Sequence, residues 1–317
     1  MKIVFQADPI NTLNIKTDSS LCLAKEAILR KFDVWFFTPN NLTYKQEKLI
    51  TKAIKISEIT ETQILHSKEK EIPLDDTDIL LIRQNPPFNI EYITYTYLLE
   101  LLKNTTIVNN PNGIRNFTEK LSILMFPELI PETLVTSNEE EASIFLKKYK
   151  SIVCKPLYEF GGNDITKFDS ENENYFQKNF RALYKKHKTP LMVQRFIPEV
   201  KNGDKRVILV NGKPVATLNR IPKENSIKSN LAAGGQAVKT TLTERDLHIS
   251  ETVGKELVKR DIIFAGIDII DKYLTEINVT SPNGITALNN LYNLSQKAKI
   301  EAIIWDSILE QHRKRTI

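Results

Sequence analysis

The sequence has little cysteine and no long apolar run. Its 317 residues include two cysteines, and neither has a spacing typical of a disulfide framework or a metal site. Cys22 falls in an amphipathic helical pattern and Cys154 in an apolar strand, so we expect two ordinary buried thiols. Asp8 interrupts the first apolar residues before a signal-peptide core forms, and no run approaches the length of a membrane span. These absences predict a cytoplasmic protein with no membrane partner and no cysteine-based catalysis.

A strong excess of one charge sign is also absent. The chain has 44 lysines and arginines against 39 aspartates and glutamates, a formal net charge of +5. The lysines are spread along predicted helix faces without a recurring stripe of aromatic and basic residues, so nucleic acid is not an expected partner. A modest positive field favours small anionic substrates such as nucleotides and carboxylates.

Periodicity divides the chain into two parts. The first third alternates short apolar runs with amphipathic stretches, which predicts an α/β fold with a doubly wound, largely parallel sheet. From Thr133 onward hairpin patterns predominate over crossovers, which predicts a two-lobed α+β region. A helix is expected to carry Glu119 and Lys120, and we place the boundary there. The predicted domains are residues 1–119 and residues 120–310.

The segment that begins at Gly266 predicts a hairpin with a metal-binding face. If a three-residue turn covers residues 271–273, Asp268 lies opposite Glu276, and Asn278 shares their face. Two facing carboxylates repel unless a cation sits between them, and oxygen ligands without His or Cys suit Mg²⁺. Gly266, opposite Asn278, leaves room for the ion. A solvated acidic hairpin edge is the alternative.

Two other segments have the character of nucleotide contacts. The Gly161-Gly162 turn between two strands predicts a flap whose backbone amides reach phosphate oxygens. Alone, such a turn is usually only a turn, and the chain has neither a GxxxxGK[ST] nor a GxGxxG motif. Residues 191–198 are typical of an apolar edge that holds an adenine ring, with a core strand as the alternative.

Three further segments predict parts of a site. A hairpin through Asn211-Gly212 brings Arg206 and Arg220 to its open end, which suits joint recognition of an anion, with two surface arginines as the alternative. Residues 225–240 lack periodicity and predict a mobile lid or an ordinary disordered excursion. Residues 83–88 follow an apolar strand at its carboxyl end, where ligands gather in open α/β sheets, although a proline-terminated strand fits equally well.

Seven motifs then follow one another along the chain. They are Asn116-Phe-Thr-Glu-Lys120-Leu, Lys155-Pro-Leu with Gly161-Gly162, Asp204-Lys-Arg206, Asn219-Arg220-Ile-Pro, Asn230-Leu-Ala-Ala-Gly-Gly235, Gly266-Ile-Asp268 and Glu276-Ile-Asn278-Val-Thr-Ser-Pro282. In this order they resemble the bacterial glutathione synthetases, which belong to the ATP-grasp ligases. Single motifs such as Gly-Gly are common, but the ordered set is highly specific.

The resemblance implies an activity and its cofactors. ATP phosphorylates the C-terminal carboxylate of γ-glutamylcysteine, and the amine of glycine attacks the acyl phosphate to give glutathione, ADP and phosphate. The resemblance also implies Mg²⁺, with Mn²⁺ as an alternative ion, and a homo-oligomer. Two other hypotheses stay open: a different ATP-grasp carboxylate–amine ligase, and a catalytically impaired ATP-binding homologue.

Residue by residue, the resemblance implies a site shared by nucleotide, metal and acid substrate. Its lid closes over the acyl phosphate, because water would otherwise hydrolyse that intermediate. Two lysines meet phosphates, residues 194–197 frame adenine and Asp204 meets the ribose. The implied nucleotide contacts are Lys120, Lys155, Gly161, Gly162, Gln194, Arg195, Phe196, Ile197, Asp204, Asn230, Gly234 and Gly235; the implied catalytic residues are Arg206, Arg220 and Lys228; the implied metal ligands are Asp268, Glu276 and Asn278.

The chain departs from the family pattern at the flap and the lid. The flap usually reads Asp-Gly-Met-Gly-Gly, but this chain has Tyr158-Glu159-Phe160-Gly161-Gly162, which loses one glycine and adds bulk. Lysine does not reproduce the bidentate grip of a guanidinium group. The lid usually carries arginine and glycine where this chain has Lys228, Ser229, Gln236 and Ala237.

Overall fold

The computed structural model describes residues 1–224 and 226–316, which form three β-sheets covered by helices. The α-helices are α1 (Ser19–Leu29), α2 (Ile90–Leu99), α3 (Pro111–Asn116), α4 (Glu139–Tyr149), α5 (Glu173–His187), α6 (Glu244–Val258), α7 (Ile285–Tyr292) and α8 (Ile300–Thr316). The strands are β1 (Lys2–Gln6), β2 (Asp33–Phe37), β3 (Leu42–Lys45), β4 (Lys48–Ile59), β5 (Ile64–His66), β6 (Lys70–Pro73), β7 (Ile79–Ile82), β8 (Thr106–Val108), β9 (Thr133–Thr136), β10 (Ser151–Pro156), β11 (Thr166–Asp169), β12 (Leu191–Arg195), β13 (Asp204–Val210), β14 (Lys213–Ile221), β15 (Gln236–Val238), β16 (Phe264–Ile270) and β17 (Tyr273–Asn278).

The first sheet has eight strands, in a parallel half and an antiparallel half. Strands β2, β1, β7 and β8 run parallel in that order, as the alternation in the first third of the sequence predicts. Strands β3, β5 and β6 pair antiparallel with the long strand β4, which also pairs antiparallel with β2. The sheet is therefore doubly wound only in its parallel half, and hairpins build an extension that the sequence analysis did not predict.

Helices α1 and α8 pack together over the first sheet. Asp18 caps α1 by accepting hydrogen bonds from the backbone amides of Ser20 and Leu21. Trp305 of α8 is fully buried, and its ring nitrogen donates to the carbonyl of Leu23 at 2.8 Å. The last helix of the chain thus covers the sheet that the first strand begins.

The second and third sheets are antiparallel. The second sheet has the order β11-β10-β12-β9, and an apolar cluster with Phe176 and Phe180 joins it to α4 and α5. The third sheet has the order β15-β14-β13-β16-β17, and α6 packs against it through Ile249, Val253 and Leu257. These two sheets correspond to the two lobes predicted from the hairpin patterns.

One expected helix is wrong. Helix α3 ends at Asn116, and Glu119 and Lys120 lie in a turn before a short 3₁₀ helix at Leu121–Met125. The backbone carbonyl of Glu119 accepts a hydrogen bond from the amide of Ile277 in β17 at 3.0 Å. This long-range bond takes the place of the local bonding that a continuing helix needs.

Two expectations drawn from composition concern the cysteines and membrane-spanning helices. Cys154 is buried, Cys22 is half-buried, and both are free thiols. Among the described residues, no helix combines the length and the apolar character that crossing a membrane requires. Asn225, the first residue of the expected lid, lies outside the described residues.

Candidate active site

A cleft open to solvent, with about 880 Å³ of space, lies between the second and third sheets. Strands β10 and β12 line one wall, strands β13, β16 and β17 line the other, and residues 227–230 cover it. The expected site residues that line the cleft are Lys120, Lys155, Gly162, Gln194, Arg195, Phe196, Ile197, Asp204, Lys228, Asn230, Asp268 and Glu276.

The β16–β17 hairpin holds the three expected metal ligands. Asp268 pairs with Glu276, and Gly266 pairs with Asn278, so the predicted register is confirmed. The predicted three-residue turn is wrong, because Ile270 pairs with Tyr273, and a bulge between Asp268 and Ile269 restores the predicted pairing of Asp268 with Glu276. The side-chain nitrogen of Asn278 lies 3.3 Å from a carboxylate oxygen of Asp268, so both point to the same face.

Asp268 is buried and held by both expected arginines. Nε and Nη2 of Arg206 donate to its two oxygens at 2.5 and 2.9 Å, and Nη2 of Arg220 lies 3.0 Å from Oδ1. Burial alone would raise the pKa of Asp268, but the two guanidinium groups outweigh burial and hold it well below its ordinary value. Both arginines are buried too, so the alternative of two surface arginines is wrong.

Asp204 has one satisfied and one unsatisfied oxygen. Its Oδ2 accepts hydrogen bonds from Arg220 at 2.5 Å and from the hydroxyl of Ser229 at 2.7 Å. Its Oδ1 is buried and has no hydrogen-bond partner among the described residues. Burial raises the pKa of Asp204 to about 6 despite the arginine. A buried acceptor at the cleft wall suits a ligand that donates, such as a sugar hydroxyl.

Two lysines, the buried Lys120 and the half-buried Lys155, converge on the cleft. The ammonium of Lys120 donates to the carbonyl of Glu159 at 2.5 Å and pairs with Glu276 at 3.0 Å. The ammonium of Lys155 donates to the side-chain oxygen of Gln194 at 2.7 Å, and burial lowers the pKa of Lys155. Among the described residues Lys155 has no ion pair closer than 4 Å, so its positive charge is left for an anionic ligand.

The flap and the lid meet over the cleft. Gly161 and Gly162 have φ of 64° and 77°, left-handed values that glycine adopts without strain. A side chain at Gly162 would come within 2.9 Å of the side-chain oxygen of Asn230, so the flap turn touches the lid. The bulk added at Phe160 is exposed and does not fill the cleft.

The lid is more regular than its sequence pattern predicts. It contains a 3₁₀ turn at Leu231–Ala233, followed by Gly234 with φ of 90° and Gly235 packed against the backbone of Ser229. Strand β15 then pairs with β14. Backbone pairing stabilises this strand whatever its side-chain periodicity, so residues 236–238 are a strand and not part of the loop that the sequence pattern predicts.

Several functional features were missed or misplaced by the sequence analysis. Ser229 is one of the lid residues that depart from the family pattern, and its hydroxyl connects the lid to Asp204 by a hydrogen bond. Arg83 is buried away from the cleft, where it donates to Ser20 at 3.1 Å and to the carbonyl of Pro282 at 2.9 Å. It therefore links the first sheet to the segment after β17. No local motif signals either contact, because both partners are distant in sequence.

Several solved structures share the fold of this chain. D-cycloserine synthetase aligns with a TM-score of 0.70 and 10% identity, over 98% of this chain and 99% of its own. D-alanyl-alanine synthetase A from Vibrio cholerae aligns with a TM-score of 0.67 and 13% identity, over 99% and 98%. An ATP-grasp ligase with bound Mg and ADP aligns at a TM-score of 0.60 and 13% identity, over 98% of both chains. These likenesses show that the chain has the fold of the ATP-grasp ligases.

Sequence relatives then narrow the class to a family. The model of the prokaryotic glutathione synthetase N-terminal domain matches residues 1–115, and that of the ATP-grasp domain matches residues 119–293. Glutathione synthetases from Rhodopseudomonas palustris and Bradyrhizobium diazoefficiens are each 38% identical, over 97% and 99% of this chain and 98% and 99% of their own lengths. The chain belongs to the prokaryotic glutathione synthetase family, and it is an ATP-dependent ligase.

Proposed function

We propose that the protein joins γ-glutamylcysteine to glycine at the expense of ATP, through an acyl phosphate, to give glutathione, ADP and phosphate. One observation carries this proposal: Lys120, Lys155 and the Asp268–Glu276 hairpin face converge on one cleft, with Arg206 and Arg220 directly behind it. Phosphoryl transfer to a carboxylate brings two anions together. A site for this reaction therefore needs cations beside both the phosphate and the carboxylate.

We propose roles for the polar residues of the cleft. Lys120 and Lys155 bind nucleotide phosphates, and the free oxygen of Asp204 accepts from the ribose. Residues 194–197 frame the adenine. Arg206 and Arg220 orient the acid substrate, while Lys228, which lines the cleft from the lid, neutralises the acyl phosphate. Lid closure excludes water from that intermediate.

We propose Asp268, Glu276 and Asn278 as the ligands of a divalent cation, with Mg²⁺ favoured over Mn²⁺. The donors are two carboxylates and an amide on one hairpin face, a hard oxygen set that fits such an ion. Arg206, Arg220 and Lys120 contact oxygens of the two carboxylates, and these oxygens keep further lone pairs for a metal. Bound there, the ion would neutralise phosphate charge.

The test of the function is a phosphate-release assay with pairs of acid and amine substrates. We expect γ-glutamylcysteine plus glycine to exceed every other pair in kcat/KM. Equal activity with other pairs would favour a different carboxylate–amine ligase. ATP binding by calorimetry without ADP formation, with both substrates present, would instead favour an impaired homologue.

We also propose the organisation of the working enzyme. Residues 1–119 form a substrate-contributing domain and residues 120–310 the ATP-grasp domain, in a cytoplasmic homo-oligomer that needs neither nucleic acid nor membrane. The free thiols of Cys22 and Cys154 are compatible with a reducing compartment. Light scattering after size-exclusion chromatography measures the oligomeric state, and a mass equal to one chain of 36.4 kDa contradicts that part of the proposal.

A further inference from the structure

The flap, residues 158–165, carries one carboxylate on each side of its glycine turn. Glu159 precedes the turn and Asp164 follows it, and the two side chains are 28% and 29% exposed. The family pattern has glycine where this chain has Glu159. A carboxylate on the limb that lines the nucleotide cleft needs a cationic partner, because it would otherwise repel the phosphates that Lys120 attracts.

His187 lies between these two limbs. Its Nε2 is 2.9 Å from Oδ2 of Asp164, and its Nδ1 is 3.7 Å from Oε1 of Glu159. The ring is only 10% exposed, so it is enclosed by the groups that it contacts. The contact with Glu159 is an ion pair when both ring nitrogens carry a proton. One side chain therefore reaches the beginning and the end of the flap.

The helix that presents His187 is fixed to the second sheet. His187 is the last residue of α5, where the helix dipole favours a cation. Phe176 and Phe180 of the same helix are fully buried, and the ring of Phe176 packs edge-on against Phe168 of β11 with centroids 5.2 Å apart. The imidazole is thus held by a packed element, whereas the flap is a loop.

The flap is anchored independently at two further points. The carbonyl of Glu159 accepts from Lys120 at 2.5 Å, and Lys186 donates to Asp164 at 2.6 Å from a side chain that is 63% exposed. The hydrogen bonds from Lys186 and from His187 lower the pKa of Asp164. Lys186 reaches one limb only, so His187 is the group that joins both.

We propose that His187 is a positioning residue, which binds Glu159 and Asp164 and so keeps the Gly161–Gly162 turn over the nucleotide phosphates. This inference rests on the proposed function only in taking the cleft as the nucleotide site. It applies to ATP binding, whichever acid and amine the enzyme joins.

The first test compares His187→Asn with His248→Asn, a matched change at an exposed position of α6. We expect His187→Asn to raise the Kd and the KM for ATP about three- to tenfold, the range for losing a partly exposed charged contact. The KM for the acid substrate should stay unchanged, and so should all constants of His248→Asn. An unchanged Kd for ATP, or an equal rise in both KM values, overturns the proposal.

The second test removes the carboxylate of Glu159, one of the two that His187 contacts. In a Glu159→Gly background, His187→Asn should change the Kd for ATP by less than about twofold, because without the Glu159 carboxylate the imidazole no longer joins the two limbs. An effect as large as in the unaltered chain overturns the proposal. Should His187→Asn fail to fold, Asp164→Asn must raise the Kd for ATP, and an unchanged Kd is equally decisive against it.

Calorimetry with ATP alone separates this proposal from the proposed function. A protein that binds ATP but does not join γ-glutamylcysteine to glycine contradicts the function and still tests the flap. If the His187→Asn variant joins γ-glutamylcysteine to glycine normally and has an unchanged KM for ATP, the flap proposal is contradicted and the proposed function stands.

Discussion

Asp268 is the residue on which the buried charges of the cleft depend. It is 2% exposed and holds Arg206 and Arg220, which are themselves buried. Removing one partner of a buried ion pair leaves the others uncompensated, which costs more than the pair contributes when intact. The same carboxylate faces Glu276 across the hairpin, so structural and proposed metal-binding roles meet in one side chain.

We predict that Asp268→Asn lowers the free energy of unfolding by about 3–5 kcal/mol, since buried Arg206 loses its charged partner and Arg220 keeps only the carboxylate of Asp204. Urea denaturation measures the change. Glu276→Gln is the control, because Glu276 is 21% exposed and, among the described residues, forms an ion pair with Lys120 alone. It should lower turnover far more than stability. A cost for Asp268→Asn below that of Glu276→Gln contradicts the prediction, and unchanged turnover of Glu276→Gln at saturating magnesium contradicts the metal assignment.

The same carboxylate predicts a pH dependence. Arg206 and Arg220 hold the pKa of Asp268 below the ordinary value of about 4, so the unfolded chain binds this proton more readily than the folded one. The resulting stabilisation is complete above about pH 4 and is lost as the pH falls below it. We expect the difference in unfolding free energy between the wild type and Asp268→Asn to narrow from about pH 6 to about pH 3. A constant difference would be evidence against this charge assignment.

At the scale of elements, the β16–β17 hairpin separates what sequence can predict from what it cannot. Alternation of Ile267 and Ile277 with Asp268 and Glu276 predicts the register, because a slip of one residue would turn the carboxylates into the core. The turn is not predictable in this way. Asp271 adopts φ of 55°, and a bulge absorbs the extra residue, neither of which leaves a pattern in the sequence.

Other elements show the same division. Helices α1, α5 and α6 follow from apolar periodicity and, at α1, from the cap at Asp18. Strand β15 and the partners of Arg83 depend on backbone and side-chain groups far away in the chain, so local patterns do not reveal them. The residues of the candidate site could be predicted from the sequence because their motifs resemble those of a family. The ion pairs between these residues could not be predicted in this way.

Helix α6 and the β13–β14 turn provide a prediction at this scale. A methyl group at Gly254 would overlap the carbonyl oxygen of Gly212, whose own φ is 73°. We predict that Gly254→Ala lowers the free energy of unfolding by about 1–3 kcal/mol, although alanine is the better helix former. Urea denaturation measures the loss. Lys255→Ala, at an exposed neighbouring position of α6, should stay within about 0.5 kcal/mol. Equal stability of the two variants would contradict the close packing.

At the scale of the molecule, one apolar cluster connects the beginning, the middle and the end of the chain. Phe5 of the first sheet, Val210 of the third sheet and Trp305 of α8 all belong to it. Because they share this core, the first sheet and the third sheet should lose their packing together rather than one after the other.

We therefore predict that Trp305→Ala costs about 3–5 kcal/mol and that the variant still unfolds in a single transition. The chain has two tryptophans, so Trp35 in β2 becomes the sole fluorescent reporter of the first sheet in this variant. Its unfolding midpoint in urea should coincide with that of far-ultraviolet circular dichroism. Two separated midpoints would show that the sheets unfold independently.

The docking of α8 on α1 also affects how the protein is made. The carbonyl of Leu23 and the ring nitrogen of Trp305 are separated by 282 residues. At ribosomal speeds of about 5–20 residues per second, roughly 14–56 seconds pass between the synthesis of the two. During that interval the part of α1 that α8 covers in the folded protein is left exposed. The nascent chain therefore exposes an apolar surface to which chaperones bind until α8 leaves the ribosome.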